Sequence, residues 1–222
     1  MRTHSIDQAG IELVNVSARY GHGPLVMEDV SVRLPAVGLV RLTGANGGGK
    51  STFVELCSGY LVPASGQVLV RGRRAASQDA HRERRVVRAR PALFPGMSAR
   101  DHLVVASRAA GADVRELLER ADRLGLGAWL EHDSVALSSG NAAKLWWLMC
   151  TPGPFKVLLA DEPFAALDDA SSAVLEAELM AFSQQALVVL VTHTAPESFV
   201  AAEHLHLAHG TVVRTSDERV AP

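Results

Sequence analysis

The stretch Gly44–Thr52, GANGGGKST, leaves this chain few ways to fold. It follows an apolar run, Leu39-Val40-Arg41-Leu42, and precedes Phe53-Val54-Glu55-Leu56-Cys57, which reads as a helix. Strand, glycine-rich loop and helix in that order carry the pattern G-x-x-x-x-G-K-[ST] intact. Glycines let the backbone curl so that successive N–H groups face an anion, and the positive end of the helix faces the same point. Gly44, Ala45, Asn46, Gly47, Gly48, Gly49, Lys50, Ser51 and Thr52 are therefore the expected nucleotide contacts. Lys50 is expected to reach the β- and γ-phosphates of a triphosphate, and Ser51 to place its hydroxyl on Mg²⁺. A plain glycine turn would need neither residue.

A chain of 222 residues fits one domain, with room for subdomains. A formal net charge of −2 gives no overall pull toward nucleic acid, and none is expected as a partner. Cys57 and Cys150 lie in apolar helical patterns and read as buried free thiols rather than a disulfide or metal site. The first seven residues have no apolar signal core, and no apolar run approaches the ~20 residues needed to cross a bilayer. The expectation is a cytosolic chain whose membrane role, if it has one, requires a separate partner.

Ile11-Glu12-Leu13-Val14-Asn15-Val16 and Val30-Ser31-Val32-Arg33-Leu34 alternate apolar with polar, as half-exposed strands do. Tyr20 lies between them in a Gly-rich turn, and Gln67-Val68-Leu69-Val70 is a further strand. Arg71–Arg90 is strongly basic: eight arginines stand against Asp79 and Glu83. A nucleic-acid or headgroup patch is one reading; a solvated loop between strands is favoured, because no aromatic residue is present there to stack a base.

Ser98 and Asp113 are each placed to cap a helix, and Ser138-Ser139 opens a third. In the second of these helices Val114, Leu117, Leu118, Ala121 and Leu124 share one face. Trp146 and Trp147, in the third, fit either the core or a partner. Val157-Leu158-Leu159-Ala160 and Ala186–Val191 read as strands buried on both faces, with a helix from Asp168 between them. Strands alternating with helices argue for an α/β core with a mostly parallel sheet. The helices at approximately 90–150 form an inserted helical subdomain. The tail reads as a hairpin around His209-Gly210, and His204, His206 and His209 read as an exposed strand face rather than a metal site.

Asp161-Glu162 closes the strand Val157–Ala160, and the carboxyl end of such a strand faces the ligand crevice of an α/β sheet. Asp161 is placed to hold Mg²⁺ and Glu162 to take a proton from an attacking water.

With these motifs in order, the chain resembles the ATP-binding subunit of an ABC transporter from about Ile11 to Val213. Gly44–Thr52 matches the family's phosphate loop, and Val157–Pro163 resembles its second nucleotide motif. Ala166-Leu167-Asp168 resembles the loop that crosses to a partner subunit. The resemblance implies a phosphate-loop NTPase core with an antiparallel β subdomain, spanning 1–222 as a single domain. It implies ATP and Mg²⁺ as cofactors, His193 on the γ-phosphate and Tyr20 stacked on adenine. It also implies head-to-tail pairing with a second ATP-binding subunit, identical or different. ATP would lie between the phosphate loop of one copy and Ser138, Ser139 and Gly140 of the other. An integral membrane permease is the further implied partner, holding the chain at the cytoplasmic face. Asp161–Asp168 is similar to small exporter-type subunits, including the haem-exporter family.

Two departures stand out. The family's Leu-Ser-Gly-Gly-Gln appears here as Leu137-Ser138-Ser139-Gly140-Asn141, so Ser139 adds a side chain where glycine is usual. The glutamine expected just before Leu93-Phe94-Pro95 is missing from Arg88-Ala89-Arg90-Pro91-Ala92. These departures motivate a rival reading, a regulatory subunit paired with a different ATPase. Intact Lys50, Asp161, Glu162 and His193 weigh against it. A soluble ATPase of the same type acting on nucleic acid or ribosomes is the remoter alternative.

Overall fold

The computed structural model describes residues 9–192, 203–208 and 210–215. The expectations placed on His193, on His209 and on the first seven residues lie outside these. The half-exposed alternations build one antiparallel sheet from β1 (Ile11–Arg19), β2 (Leu25–Leu34), β4 (Ser65–Val70) and β5 (Arg73–Arg74), in the order β2-β1-β4-β5. A second sheet runs β10-β9-β3-β8-β7-β6. Its strands are β3 (Gly38–Gly44), β6 (Arg84–Val87), β7 (Val157–Asp161), β8 (Leu187–Val191), β9 (Glu203–Ala208) and β10 (Thr211–Thr215). All neighbours in it pair in parallel except β9 and β10, which form the terminal hairpin.

Six α-helices accompany these sheets among the described residues: α1 (Lys50–Cys57), α2 (Gln78–Glu83), α3 (Ala99–Ala110), α4 (Val114–Arg123), α5 (Ser139–Cys150) and α6 (Asp169–Ser183). The expected caps Ser98 and Asp113 are in place, and Ser138 and Asp168 cap the helices they are expected to open. Ser98, Asp113, Ser138 and Asp168 accept from the backbone N–H groups of Asp101, Arg115, Asn141 and Ser171, satisfying donors the helices leave unpaired.

The two central strands separate two cores because successive side chains leave a strand on opposite faces. Val157, Leu159, Leu187 and Val189 pack with the antiparallel sheet and α1. Leu158, Ala160, Val188 and Leu190 pack with α3, α4, α5 and α6. Trp147 belongs to this second core and donates its indole N–H to Glu178 (2.6 Å). Arg120 breaks the apolar face of α4, yet it is only 4% exposed. It donates to both oxygens of Glu178 (2.9 and 2.8 Å) and to the carbonyl of Thr151 (2.9 Å), which ties α4 to α6 and to the end of α5.

The basic stretch corrects the sequence reading. It is no simple solvated loop, since it contains β5, α2 and the edge strand β6. Arg84 is 4% exposed and donates to the carbonyls of Cys57 (3.0 Å) and Ala75 (2.8 Å), closing the end of α1. Arg85 donates to Pro152 O, and Arg73 pairs with Glu83. These guanidinium groups are spent on internal carbonyls and carboxylates, which composition alone cannot reveal. Both cysteines are free thiols, and burial pushes Cys150 up to about 12 and Cys57 higher still. Among the described residues no helix is long and apolar enough to cross a membrane.

Candidate active site

The loop between β3 and α1 is shaped by close backbone approach. Gly44 has φ 150°, and a Cβ there would lie 2.3 Å from the carbonyl oxygen of Leu207 on β9. Gly49, the N-cap of α1, has φ 102° and supplies no side-chain acceptor. The first N–H groups of α1 are thus left for an outside acceptor, at the end where the helix dipole favours negative charge. Lys50 Nζ donates to the carbonyls of Gly44 (2.7 Å) and Ala45 (3.0 Å), so the ammonium is held against the loop it serves.

A cavity of about 590 Å³ opens above this loop. Asn46, Gly47, Gly49, Lys50, Ser51 and Thr52 line it from one side, Asp161 and Glu162 from the end of β7, and Tyr20 from the turn after β1. The structure therefore brings together residues that the sequence keeps far apart. Parallel pairing of β3, β8 and β7 does this by placing their carboxyl ends at one edge. Glu162 has φ 49° and donates its N–H to Val191 O (2.8 Å). Tyr20 donates its hydroxyl to Glu55 Oε2 (2.8 Å) and shares a second hydrogen bond with Thr52 Oγ1 (3.2 Å). Burial raises this phenol above its ordinary value; the hydrogen bond with Thr52 works the other way, and the Glu55 carboxylate adds to the rise.

Ser51 and Asp161 present a hydroxyl and a carboxylate to the same cavity. Such hard oxygen donors suit Mg²⁺, so the residues present fit the ion.

A second cavity, of about 440 Å³, adjoins the first and shares Ala89, Glu162 and Ala165 with it. Ser139 lines this second cavity. Ser138 caps α5, and a Cβ on Gly140 would sit 2.9 Å from Ala166 O. Ser139 lies in the first turn of α5 and is not among the residues of positive φ, so its side chain brings no backbone strain. Ala89 was not singled out by sequence. It reaches both cavities because β6 ends just before it, and the apolar pair Val86-Val87 inside the arginine-rich run was the available signal.

The terminal histidines also differ from expectation. His204 and His206 are half-buried rather than exposed, and His206 Nδ1 shares a hydrogen bond with Thr43 Oγ1 (3.2 Å). Among the described residues no cluster of three or more His, Cys, Asp or Glu side chains could hold a metal ion.

The profile of the family described as ABC transporter matches residues 27–165. The taurine import ATP-binding protein TauB of Roseobacter denitrificans is 28% identical over 206 residues, covering 88% of this chain and 76% of that protein. A macrolide export ATP-binding/permease protein, MacB 1 of Yersinia pestis, is 30% identical over 227 residues, covering 96% of this chain and 35% of its own length. Among solved structures, an ATP-binding subunit of an ABC transporter superposes with a TM-score of 0.83 at 24% identity, over 93% of this chain and 89% of that one.

Proposed function

The chain belongs to the ABC transporter family as an ATP-binding, ATP-hydrolysing domain coupled to transport, and from that premise we propose how its own residues carry out the work. The observation that carries the proposal is the meeting of Lys50, Ser51, Asp161 and Glu162 on one cavity at the carboxyl edge of the parallel sheet. The backbone N–H groups of 44–52 cradle the phosphates, and Lys50 turns from the loop carbonyls to the β- and γ-oxygens. Tyr20, held by Glu55 and Thr52, offers a ring to adenine. Ser51 and Asp161 hold Mg²⁺, which supplies charge neutralisation on the phosphates. Glu162 takes the proton of the attacking water, and His193 stabilises the γ-phosphate.

The proposal extends to assembly. Two copies pair head-to-tail, so that Ser138, Ser139 and Gly140 of one meet the nucleotide held by the other. Neutralising phosphate charge across the interface favours the closed pair with ATP bound, and hydrolysis favours opening. This cycle drives a separate membrane permease from the cytoplasmic face. The 1–222 chain acts as one unit, with 90–150 as its helical part. The second reading, a regulatory subunit that pairs with a different ATPase, draws on the stretch Arg88–Ala92, whose Ala89 lines the cavity and brings no side-chain amide to it.

The Mg²⁺-dependent ATPase rate across a wide range of protein concentration tests the pairing. A rate rising faster than linearly is expected. A strictly linear rate from a chain that stays monomeric with ATP bound would contradict assembly of the site from two copies, and bound nucleotide with no turnover would favour the regulatory reading.

A further inference from the structure

Both oxygens of one carboxylate are in use beside the cavity. Glu55, on α1, accepts from the Tyr20 hydroxyl at Oε2 (2.8 Å) and pairs through Oε1 with Arg88 Nη1 (3.4 Å). The Arg88 guanidinium also lies over the Tyr60 ring, 5.0 Å from its centre. The backbone of the same arginine faces the other way: its carbonyl accepts from Trp146 Nε1 (3.0 Å) on α5. Arg88 thus grips α1 with its side chain and α5 with its main chain. The next residue, Ala89, lines both cavities, and α5 begins at Ser139 beside Glu162.

We infer that Arg88 is a positioning residue that couples Tyr20, on the wall of the nucleotide cavity, to the placement of helix α5. The inference rests on the proposed ATPase reading of that cavity. A carboxylate is a rigid plane, so a shift of Tyr20 against a ligand turns Glu55 and alters the pull on Arg88. The Arg88 carbonyl then carries that displacement to Trp146 and to the first turn of α5, which holds Ser139 and Gly140. Arg88 is not among the residues that line the nucleotide cavity, and its part is to hold α5 where turnover needs it.

The test uses the full chain carrying Trp129→Phe, which removes an indole outside the network. Tryptophan emission is followed during titration with Mg²⁺-ATP. A nucleotide-dependent change is expected and should vanish in Trp146→Phe. Arg88→Ala should lose the same change and lower kcat about tenfold, while ATP affinity stays within about twofold. Arg88→Lys, which keeps a cation for Glu55, should recover most of the turnover and the signal. Because the two contacts act in series, Arg88→Ala with Trp146→Phe should be no worse than the stronger single variant. Wild-type turnover and signal in Arg88→Ala would overturn the inference and leave the ATPase reading standing. Additive losses in the double variant would overturn it as well. Absence of ATP binding by the unaltered chain would overturn both.

Discussion

The backbone N–H of Glu162 donates to the carbonyl of Val191 at 2.8 Å, which pins the residue after β7 to the end of β8. That bond holds Glu162 at φ 49°, a conformation unfavourable for a side chain with a Cβ. The result is a carboxylate that lines two adjoining cavities, one with Lys50 and Ser51, the other with Ser139. The strain sits where the reacting water is proposed to be activated.

The loop's shape should be intolerant of a single methyl group. In Gly44→Ala the new Cβ would meet Leu207 O at 2.3 Å, so either β9 or the loop must move. A loss of about 1–3 kcal/mol in stability is expected from such overpacking. ATP affinity should fall with it. Denaturant unfolding and nucleotide titration of the same variant check both.

The Arg120–Glu178 pair should prove costly to break from one side. Glu178 accepts from Arg120 and from the Trp147 indole, and Arg120 has no access to water that could replace it. Glu178→Ala leaves a buried cation and an indole donor without their acceptor, at about 3–5 kcal/mol. Glu178→Gln keeps an acceptor and should lose less. Urea midpoints of the two variants decide it.

Asp168 should leave an acid signature. Hydrogen bonds from Ser171, side chain first and backbone next, with Lys144 beside it, hold its carboxyl down to about 2 from 3.8. A carboxyl lowered on folding stabilises the native state above its unfolded value and loses that contribution as pH falls through its folded value. At neutral pH, Asp168→Asn should therefore be less stable than the unaltered chain. The difference should shrink as pH drops from 3.8 toward about 2. Stability measured against pH for the two proteins tests it, and a constant gap would contradict the assignment.

Much of this arrangement is written locally in the chain. The loop Gly44–Thr52, the caps Ser98, Asp113, Ser138 and Asp168, and the doubly buried strands β7 and β8 each declare themselves within a few residues. Strand β6 does not, because its arginines look solvated until Cys57 O and Ala75 O are seen to receive Arg84. The same holds for Arg120 on α4, whose partner Glu178 lies on α6. Long-range pairing, not local pattern, decides whether an arginine is surface or structure. The sharing of Glu162 between two cavities is equally invisible in sequence, since it depends on how α5 meets the end of β7.

The most direct test of the account is Glu162→Gln, assayed for ATP binding and for hydrolysis in the same preparation. The substitution keeps the shape of the side chain and removes its capacity to take a proton. Loss of a general base should lower turnover by about 10²–10⁴-fold. ATP should still bind through Lys50 and the loop, with affinity close to that of the unaltered chain. Turnover unchanged in Glu162→Gln would contradict the central claim that this carboxylate activates the attacking water.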